Sequence, residues 1–413
     1  MDSDYSYQCL RCSSRFPHSL VIDSRGCPRC HHEAPSNLQV VVPQSGALDR
    51  GYAPASSLWR FQRRLPCSYD QAVSLGEGLT PLLSAEKLGL TVDIPRLWLK
   101  DEGRNPTWSH KDRFSTLAVS MARLRGSKIV ATASSGNAGA SLAAYAARAG
   151  LKCVVATFAG AATPMVQQIA KYGAQIVPFS SKPDRWRFLQ EGIARHNWWA
   201  CSPFLAPVVG SHPVGIEGYK TLAYEIVEQS NGEVPDWCAL PVCYGDALSG
   251  LWLGFKELQR EGVTDRLPRL IAAEVHGSLA HALSHGGDRI HALSPGFQTL
   301  AVSVGAAQST YQALCALRES KGLAVPIGND GMIELQESIA EKEGVFAELA
   351  SVLPVAAIAW ARRREIIKRS DRVVAVLTAS GLKDLDRSSN VSLPSPFGST
   401  EEAWRYFGTG RLS

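Results

Sequence analysis

The sequence predicts an α/β protein with mostly parallel sheets, and three observations support this fold class. The chain has 413 residues, enough for two or three domains of ~150 residues each. Apolar residues make up 45% and charged residues 20%, a balance typical of folded globular proteins rather than disordered chains. From about residue 95 onward, short apolar runs alternate with amphipathic stretches, and this alternation favours parallel sheets covered by helices on both faces.

The individual elements follow from this alternation. Strands are predicted at 96–100, 128–133, 152–157, 175–179, 237–242, 270–275 and 372–377. Helices are predicted at 138–149, 164–172, 183–196, 216–228, 248–260 and 353–369. Ligands of such sheets bind at the carboxyl ends of strands, so the loops that lead from strand to helix are the first candidates for a functional site.

Two segments precede this body. Residues 1–35 form a short polar unit, and residues 36–90 are rich in Pro, Ser and Gly, which predicts a linker that wraps over the body. The chain carries 43 basic and 38 acidic residues, and a net charge of +5 is too small to predict nucleic acid or an anionic membrane as a partner. The first ten residues resemble no signal peptide and no apolar run is long enough to span a bilayer, so we expect a cytoplasmic protein.

Four of the ten cysteines lie within the first thirty residues, as the pairs Cys9/Cys12 and Cys27/Cys30. Two CxxC pairs separated by fourteen residues are a strong signal for a tetrahedral zinc site in a reducing compartment. Four thiolates leave no open position for a substrate, so we expect the zinc to be structural and to lie outside the catalytic loops.

The first candidate loop, 105–113, has the sequence NPTWSHKDR and follows a predicted strand. Ser109 could cap a helix that begins near His110, so Lys111 would project from its first turn. The positive end of the helix dipole disfavours a charged lysine, which suits an amine that must be neutral to form a Schiff base. The alternative is a solvated lysine with Asp112 as its local partner.

Three further segments lie at predicted strand ends. The loop 133–139, ASSGNAG, offers donors for a carboxylate or phosphate, although ordinary helix capping is the alternative. The loop 241–250, PVCYGDALSG, suits a phosphate cradle, although with two glycines a ligand-free turn is equally compatible. The segment 376–384, VLTASGLKD, presents hydroxyls at the end of the last strand.

Together, NPTWSHKDR, SSGNAG, PVCYGDALSG and LTASGLKD resemble the threonine-synthase-like group of fold-type II pyridoxal-phosphate enzymes, which includes cysteate synthase and the serine/threonine dehydratases. The resemblance extends from Cys9 to about Asp384, and 210–221 and 343–348 also match family stretches, NPxRxEGxKT and EGxFxEPxSA. It implies two parallel-sheet α/β/α lobes preceded by a zinc ribbon. The expected divisions are 1–35 for the ribbon, 36–114 with 210–413 for the large cofactor-binding lobe, and 115–209 for the small lobe.

The resemblance also implies a role for each matching residue. Lys111 would bind pyridoxal 5'-phosphate as a Schiff base and move protons at the substrate. Asn137 would contact the ring hydroxyl, Thr378 would face the pyridine nitrogen, and Ser134 and Ser135 would hold the substrate carboxylate. The cofactor phosphate would lie in the loop formed by Cys243, Tyr244, Gly245, Asp246 and Ala247.

Three positions in the substrate and phosphate regions depart from the family pattern. Gly215 replaces the arginine of NPxRxEG, Ala138 replaces a threonine, and Asp246 lies in a loop that usually reads GNGGN. Losing a charge-assisted bond to a substrate phosphate typically costs ~1.5 to 3 kcal/mol. A normal threonine synthase would therefore be impaired unless another cation substitutes, and the candidates are Arg104, Arg113, His110 and His212.

The function predicted from the resemblance is elimination or replacement at the side chain of a small-molecule amino acid. In the threonine-synthase case this is a carbon–oxygen lyase that acts on a phosphate. The alternatives are a β-replacement synthase of the cysteate-synthase kind, or a β-eliminating lyase of the serine/threonine-dehydratase kind with an unphosphorylated substrate. A zinc-ribbon adaptor that binds nucleic acid or protein is disfavoured by the low net charge. An NAD-dependent oxidoreductase is disfavoured because the sequence lacks a GxGxxG turn. By analogy with the group, we expect a homodimer.

Overall fold

The computed structural model describes residues 5–22, 24–43, 53–159, 163–294, 296–388 and 395–409 of the chain. Within these ranges the strands are β1 (Ser6–Cys9), β2 (Arg15–Pro17), β3 (Leu38–Val41), β4 (Leu82–Ser84), β5 (Leu97–Asp101), β6 (Ile129–Thr132), β7 (Lys152–Phe158), β8 (Gln175–Phe179), β9 (Trp199–Ala200), β10 (Trp237–Pro241), β11 (Arg269–Glu274), β12 (Leu323–Pro326) and β13 (Val373–Leu377). The α-helices are α1 (Glu86–Thr91), α2 (Lys111–Leu124), α3 (Asn137–Ala149), α4 (Thr163–Lys171), α5 (Lys182–His196), α6 (Pro213–Gln229), α7 (Asp246–Arg260), α8 (Ser278–His285), α9 (Tyr311–Glu319), α10 (Met332–Glu343), α11 (Leu349–Arg363) and α12 (Thr400–Thr409).

The larger sheet has six strands in the order β12-β11-β10-β13-β5-β4. All neighbouring pairs are parallel except β4 and β5 at one edge. Strand β13 lies between β10 and β5, with Val373 opposite both Trp237 and Leu97. Because these three strands run parallel, their carboxyl ends meet at one edge, which brings the first and third candidate loops beside Thr378.

The smaller sheet has four parallel strands in the order β8-β7-β6-β9. Its strand β6 leads into the loop 133–139, and α3 begins at the end of that loop. The two parallel sheets with their helices confirm the predicted α/β class. Strands β6 to β9 fall within 115–209 and the six-stranded sheet falls within 36–114 and 210–413. The lobe boundaries themselves stay a prediction.

The N-terminal ribbon, which we define as residues 5–22 and 24–43, contains a three-stranded antiparallel sheet in the order β2-β1-β3. Strand β3 lies beyond residue 35, so the sheet extends past the boundary expected from the sequence. The ribbon does not build a core alone. Its buried residues Tyr7 and Leu38 share one apolar cluster with Leu117 and Met121 of α2 and with Val214 of α6.

The linker predicted over 36–90 is instead structured over much of its described length, with β3, β4 and α1 inside it. The physical reason is Trp59, which is fully buried against the body. Its indole N–H donates to Glu77 Oε1 at 2.8 Å and to Thr116 Oγ1 at 3.0 Å, which attaches the segment to α2. Residues 44–52, in the middle of this segment, lie outside the described residues.

The helix predicted at 353–369 is shifted, since α11 spans Leu349–Arg363. It begins directly after Glu348, and just beyond its end Glu365 has a left-handed φ of 58°, which stops helical hydrogen bonding. The sequence also did not predict the short strands β4, β9 and β12 or the helices α1, α8, α9, α10 and α12. Among the described segments, none of the helices combines the length and apolarity needed to cross a bilayer.

Helices α2 and α6 cross at very close range, which fixes the position of the first candidate loop. A Cβ atom added at Gly218 would lie 1.7 Å from the carbonyl oxygen of Arg113, so only glycine permits this approach. Helix α6 in turn packs against α7 through the buried residues Tyr219, Ala223 and Leu251, among others. Helices α2 and α7, which follow the first and third candidate loops, therefore both pack against α6.

Candidate active site

Lys111 is the first residue of α2, as predicted, and the loop before it is attached to the end of β13. The backbone N–H of His110 donates to the carbonyl of Thr378 at 2.8 Å, and Ser109 forms a bridge with Ala379. The residue at the helix cap is His110, one position after the predicted Ser109, although Ser109 Oγ accepts a long bond from the Lys111 N–H at 3.4 Å. The first turn of α2 is thus held over the carboxyl edge of the large sheet.

The Lys111 amine lies in an enclosed environment. Its Nζ donates to the hydroxyl of Tyr219 at 3.4 Å, and burial lowers its pKa although the nearby carboxylates of Asp246 and Glu348 act to raise it. A lowered pKa increases the neutral fraction of the amine, which is the nucleophilic form.

The alternative of a solvated Lys111 paired with Asp112 does not hold. The Asp112 carboxylate is fully buried and accepts from the Thr107 N–H and from the Ser141 hydroxyl, both at 2.6 Å. Burial raises its pKa to about 6. Asp112 therefore fixes the loop to α3 rather than neutralising Lys111.

The second loop has the capping geometry and one feature beyond it. Ser134 Oγ accepts from the N–H groups of Gly136 and Gly139 at 3.2 and 3.3 Å, which is helix capping, while Ser135 is half-buried. Asn137, the first residue of α3, donates from Nδ2 to Glu348 Oε2 at 2.6 Å. Its Oδ1 is buried and has no hydrogen-bond partner among the described residues, so this oxygen is available to a ligand.

The third loop turns into α7 at Gly245, whose φ of 74° is left-handed, and the helix begins at Asp246. The Asp246 carboxylate is held by neutral donors. Its Oδ1 accepts from the Ser211 N–H at 3.1 Å and from Gln312 Nε2 at 2.6 Å, and its Oδ2 accepts from Ser211 Oγ at 2.6 Å. The Tyr244 carbonyl accepts from the Thr310 hydroxyl at 2.5 Å.

The remaining residues of this loop are enclosed. Ala247 is buried, and burial raises the pKa of the Cys243 thiol to about 11, so it is neutral at pH 7. At the end of the last strand, the Thr378 hydroxyl lies 2.9 Å from that of Ser351. Thr378 is therefore a buried neutral hydroxyl, in keeping with the role that the family resemblance implies.

A cavity opens at the Lys111 amine between the two lobes. Of the predicted site residues it takes in Lys111, Ala138 and Asp246; Ser134, Ser135, Asn137, Cys243 and Thr378 lie outside its lining. The full lining is Lys111, Phe114, Ser115, Thr132, Ala138, Leu142, Cys201, Ser202, Ser211, Tyr219 and Asp246. Among the described residues of this lining, Lys111 is the only basic one and Asp246 the only acidic one.

None of the four candidate cations replaces the missing arginine. Arg113 is fully buried in ion pairs with Glu102 and Glu225 at 2.7 and 2.6 Å. Arg104 is exposed and does not line the cavity. Burial lowers the pKa of His212 to about 3, so that imidazole is neutral at pH 7.

His110 is unsuitable for the same reason as His212. Its Nδ1 lies 3.1 Å from the Thr378 carbonyl oxygen, and burial lowers its pKa well below the usual value. At position 215 itself there is no room for a longer side chain. A Cβ added at Gly215 would lie 2.3 Å from Cε2 of Phe114, whose ring occupies this space.

The described residues fit pyridoxal phosphate. The donor set comprises a lysine with a lowered pKa, a buried amide oxygen without a partner at Asn137, a neutral hydroxyl at Thr378 and a helix N-terminus at the third loop. The negative charge of Asp246 opposes a phosphate, but its carboxylate is engaged by Ser211 and Gln312.

Comparison with known proteins identifies the family. The model of the family described as "Pyridoxal-phosphate dependent enzyme" matches residues 73–379, about three quarters of the chain. The chain belongs to this family. It is a pyridoxal-phosphate-dependent enzyme related to threonine synthases, which confirms the resemblance found in the sequence.

Several threonine synthases are similar to this chain over most of its length. The protein of Methanocaldococcus jannaschii is 34% identical over 341 residues, which cover 81% of this chain and 82% of that protein. The protein of Methanosarcina acetivorans is 31% identical over 388 residues, with 92% of each chain covered. The protein of Mycobacterium leprae is 35% identical over 332 residues, covering 79% of this chain and 88% of that protein.

Solved structures confirm the fold of this pyridoxal-phosphate enzyme. Maize serine racemase superimposes with a TM-score of 0.63 at 19% identity, covering 73% of this chain and 88% of that one. The processed form of threonine deaminase isoform 2 from Solanum lycopersicum superimposes with a TM-score of 0.62 at 21% identity, covering 84% of this chain and 94% of that one. At these identities the likeness concerns the fold alone.

The four ribbon cysteines form a cluster suited to a metal. Their sulfur atoms all lie within 4.8 Å of one another, with Cys9 Sγ 3.8 Å from Cys30 Sγ and Cys12 Sγ 3.7 Å from Cys27 Sγ. Tetrahedral zinc with Zn–S bonds of ~2.3 Å requires S···S distances of about 3.8 Å. The cluster therefore fits a four-thiolate site, as predicted from the CxxC pairs.

The contacts of three further residues near the site, Tyr219, Glu348 and Lys383, were not predicted from the sequence. Tyr219 lies within the quoted segment 210–221, but its role follows only from the contact with Lys111. Glu348, at the end of the matching stretch 343–348, is given no role by the sequence, yet its Oε2 accepts from the Asn137 amide at 2.6 Å. Lys383, within the quoted segment 376–384, is buried with a pKa lowered by desolvation to about 8, and donates to Gln168 at 2.8 Å across the two lobes.

Proposed function

We propose that this enzyme catalyses elimination or replacement at the side chain of an amino acid whose leaving group is not a phosphate. The observation that supports this most strongly is the pair Phe114 and Gly215, in which the Phe114 ring fills the space that a phosphate-binding arginine would need. The cavity lining supports it as well, since among the described residues its only basic side chain is Lys111, which is needed for the cofactor.

Pyridoxal phosphate, when bound, supplies the electron sink that stabilises negative charge at the substrate α-carbon. In this proposal the neutral Lys111 amine binds the cofactor and then moves the proton at that carbon. Tyr219 would orient Lys111 Nζ through its hydroxyl, and Glu348 would hold the Asn137 amide by its Nδ2 so that Oδ1 stays available to accept from the ring hydroxyl.

Other residues would bind the two anionic groups. The backbone of 243–247 would hold the cofactor phosphate at the start of α7, and the loop with Ser134 and Ser135 would hold the substrate carboxylate. The neutral Thr378 hydroxyl would face the pyridine nitrogen without forcing its protonation. Phe114 and Leu142 would exclude water from the reacting atoms.

Threonine synthesis from phosphohomoserine is the second candidate. The observation that favours it is the 31% to 35% identity to threonine synthases over most of the chain. It requires a cation for the substrate phosphate, and within the described residues the cavity lining offers only Lys111. We therefore rank it below an unphosphorylated substrate.

Zinc is the metal proposed for the cysteine cluster, in a structural role. A homodimer and a cytoplasmic location remain predictions from the sequence. Equilibrium sedimentation of the purified protein tests the first, and metal analysis of protein purified without added zinc tests the metal.

The proposal is tested with purified protein and a panel of amino acids. Serine, threonine and O-acetylserine are supplied with and without sulfide or sulfite as nucleophiles, and 2-oxo acids, ammonia and new amino acids are quantified. Turnover of at least one unphosphorylated substrate that disappears in Lys111→Ala is the expected result. Turnover that persists in Lys111→Ala, or no cofactor label on Lys111 after borohydride reduction, would contradict the proposal.

A further inference from the structure

The N-terminal ribbon contacts the catalytic body at the start of α9. Arg11, between the first two metal-binding cysteines, lies with its guanidinium 3.7 Å from the ring centroid of Tyr311. Asn37, at the start of β3, donates from Nδ2 to Gln312 Oε1 at 3.0 Å. Asn37 and Gln312 are both almost fully buried, so water cannot replace their bond easily.

The start of α9 contacts the third loop on its other side. Gln312 Nε2 donates to Asp246 Oδ1 at 2.6 Å, and the Thr310 hydroxyl donates to the Tyr244 carbonyl. The buried side-chain amide of Gln312 thus connects the ribbon to the loop proposed for the cofactor phosphate. Ser211, whose carbonyl also accepts from Asn37 Nδ2 at 3.1 Å, provides a second connection to Asp246.

In the series of hydrogen bonds from Asn37 through Gln312 to Asp246, the orientation of each side-chain amide is determined by the group it bonds. The Leu38 N–H donates to Asn37 Oδ1 at 2.9 Å, so the Nδ2 of Asn37 must face Gln312. Gln312 consequently presents its oxygen to Asn37 and its N–H to Asp246. Leu38 pairs with the metal-binding residue Cys9 in the β1–β3 ladder. The strand pairing that carries the metal site therefore fixes the orientation of the Asn37 amide.

We propose that Asn37 and Gln312 are positioning residues through which the metal-loaded ribbon keeps the Asp246 carboxylate away from the cofactor phosphate. This inference rests on the proposed function, because it assigns the cofactor phosphate to the loop 243–247. The ribbon therefore sets the affinity of the enzyme for its cofactor, although it contributes no residue to the cavity lining.

The physical reason is competition between two anions at one helix N-terminus. The first N–H groups of α7 attract negative charge, and both the Asp246 carboxylate and a bound phosphate are suitable ligands for them. Gln312 and Ser211 hold the carboxylate and disperse its charge. If Gln312 turned its oxygen toward Asp246, two acceptors would face each other and the carboxylate would be released toward the helix end.

The test uses the full-length protein with its metal and compares the dissociation constants of pyridoxal phosphate and of pyridoxal, which lacks the phosphate. Asn37→Asp keeps the shape but lets the new carboxylate accept from Gln312, which turns that amide around. Gln312→Ala removes the donor to Asp246. Two matched controls change amides elsewhere. Gln39→Glu alters an amide pair with Gln8 within the ribbon sheet, and Gln308→Ala removes a donor to the Ile290 carbonyl.

We expect Asn37→Asp and Gln312→Ala to weaken pyridoxal phosphate binding about tenfold, the effect of losing a hydrogen bond to a charged group. The pyridoxal constant should stay unchanged, and both controls should match the wild type. Asp246→Asn, combined with either variant, should restore the affinity because the competing charge is gone. Equal weakening for both ligands, or no rescue by Asp246→Asn, would overturn the assignment of Asp246.

The part played by the metal is tested by chelation. Removing the metal from the wild type should weaken pyridoxal phosphate binding, whereas in Gln312→Ala it should add little, because both changes remove the same contact. Unchanged affinity of the stripped wild type, or additive effects in Gln312→Ala, would overturn the link from the ribbon. A wild type that binds no pyridoxal phosphate at Lys111 would instead refute the proposed function itself.

Discussion

Phe114 and Gly215 lie in direct contact across the interface of α2 and α6, and a Cβ atom at position 215 would lie 2.3 Å from the Phe114 ring. Both residues are buried, and Phe114 also lines the cavity at Lys111. The large ring and the missing side chain therefore form one complementary pair. The ring thus occupies the space beside position 215 and forms part of the cavity wall.

The first prediction concerns this pair. Gly215→Arg alone should be destabilised by about 1 to 3 kcal/mol, because the new side chain overlaps the Phe114 ring. Combined with Phe114→Gly, the arginine has space and supplies a cation for a phosphate. The double variant should bind O-phosphohomoserine about 10- to 150-fold more tightly than the wild type, and its phosphate release should rise above the Lys111→Ala background. A double variant that folds but releases no additional phosphate would show that position 215 does not face the substrate side chain.

The second prediction concerns the hydroxyl that contacts Lys111. Tyr219→Phe removes the acceptor 3.4 Å from Lys111 Nζ, so kcat should fall about 2- to 10-fold with little change in KM. Tyr224→Phe is the matched control, because that buried hydroxyl donates to Glu257 and does not line the cavity. An equal loss of kcat in both variants would indicate a packing effect instead.

The third prediction concerns acid stability. Burial and, to a smaller extent, the charge of Arg125 lower the folded-state pKa of His212 to about 3, whereas the unfolded chain has an ordinary histidine. Between these two values the unfolded state binds a proton that the folded state does not, so stability falls as the pH falls below about 6.5. The titration of His212 should lower the free energy of unfolding by about 2 kcal/mol between pH 7 and pH 5.

Urea unfolding at pH 7 and pH 5 checks this value. His212→Asn should lose about 2 kcal/mol less than the wild type over this interval, because asparagine does not titrate. His196→Asn, at an exposed position on α5, serves as the control and should behave like the wild type. A His212→Asn variant with undiminished acid sensitivity would contradict a neutral, buried imidazole in the folded enzyme.

The positions of Lys111, Asn137 and Thr378 could be predicted from the sequence because each follows a strand of a parallel sheet. Adjacent parallel strands bring their carboxyl ends together, so the alternation of strands and helices places the loops before any contact is known. The paired CxxC spacing likewise predicted the metal cluster, because four thiols in two short turns reach tetrahedral distances without long-range information.

The long-range contacts around the site could not be predicted in this way. Asp246 is bound by Ser211 and Gln312, which lie 35 and 66 residues away in the sequence. Phe114 meets Gly215 only because α2 and α6 cross at close range. No local pattern encodes such pairs, since they depend on the packing of helices that are distant in the chain. The shielding of the Asp246 charge was for the same reason visible only in the structure.

One comparison of substrates shows whether the enzyme uses Lys111 on an unphosphorylated amino acid. Purified holoenzyme receives O-phosphohomoserine in one reaction and the panel of unphosphorylated amino acids in others, each against Lys111→Ala, and inorganic phosphate, threonine and 2-oxo acids are measured. The expected result is Lys111-dependent turnover of an unphosphorylated substrate, with phosphate release no greater than in the Lys111→Ala control. Lys111-dependent release of phosphate and threonine in equal amounts would contradict it.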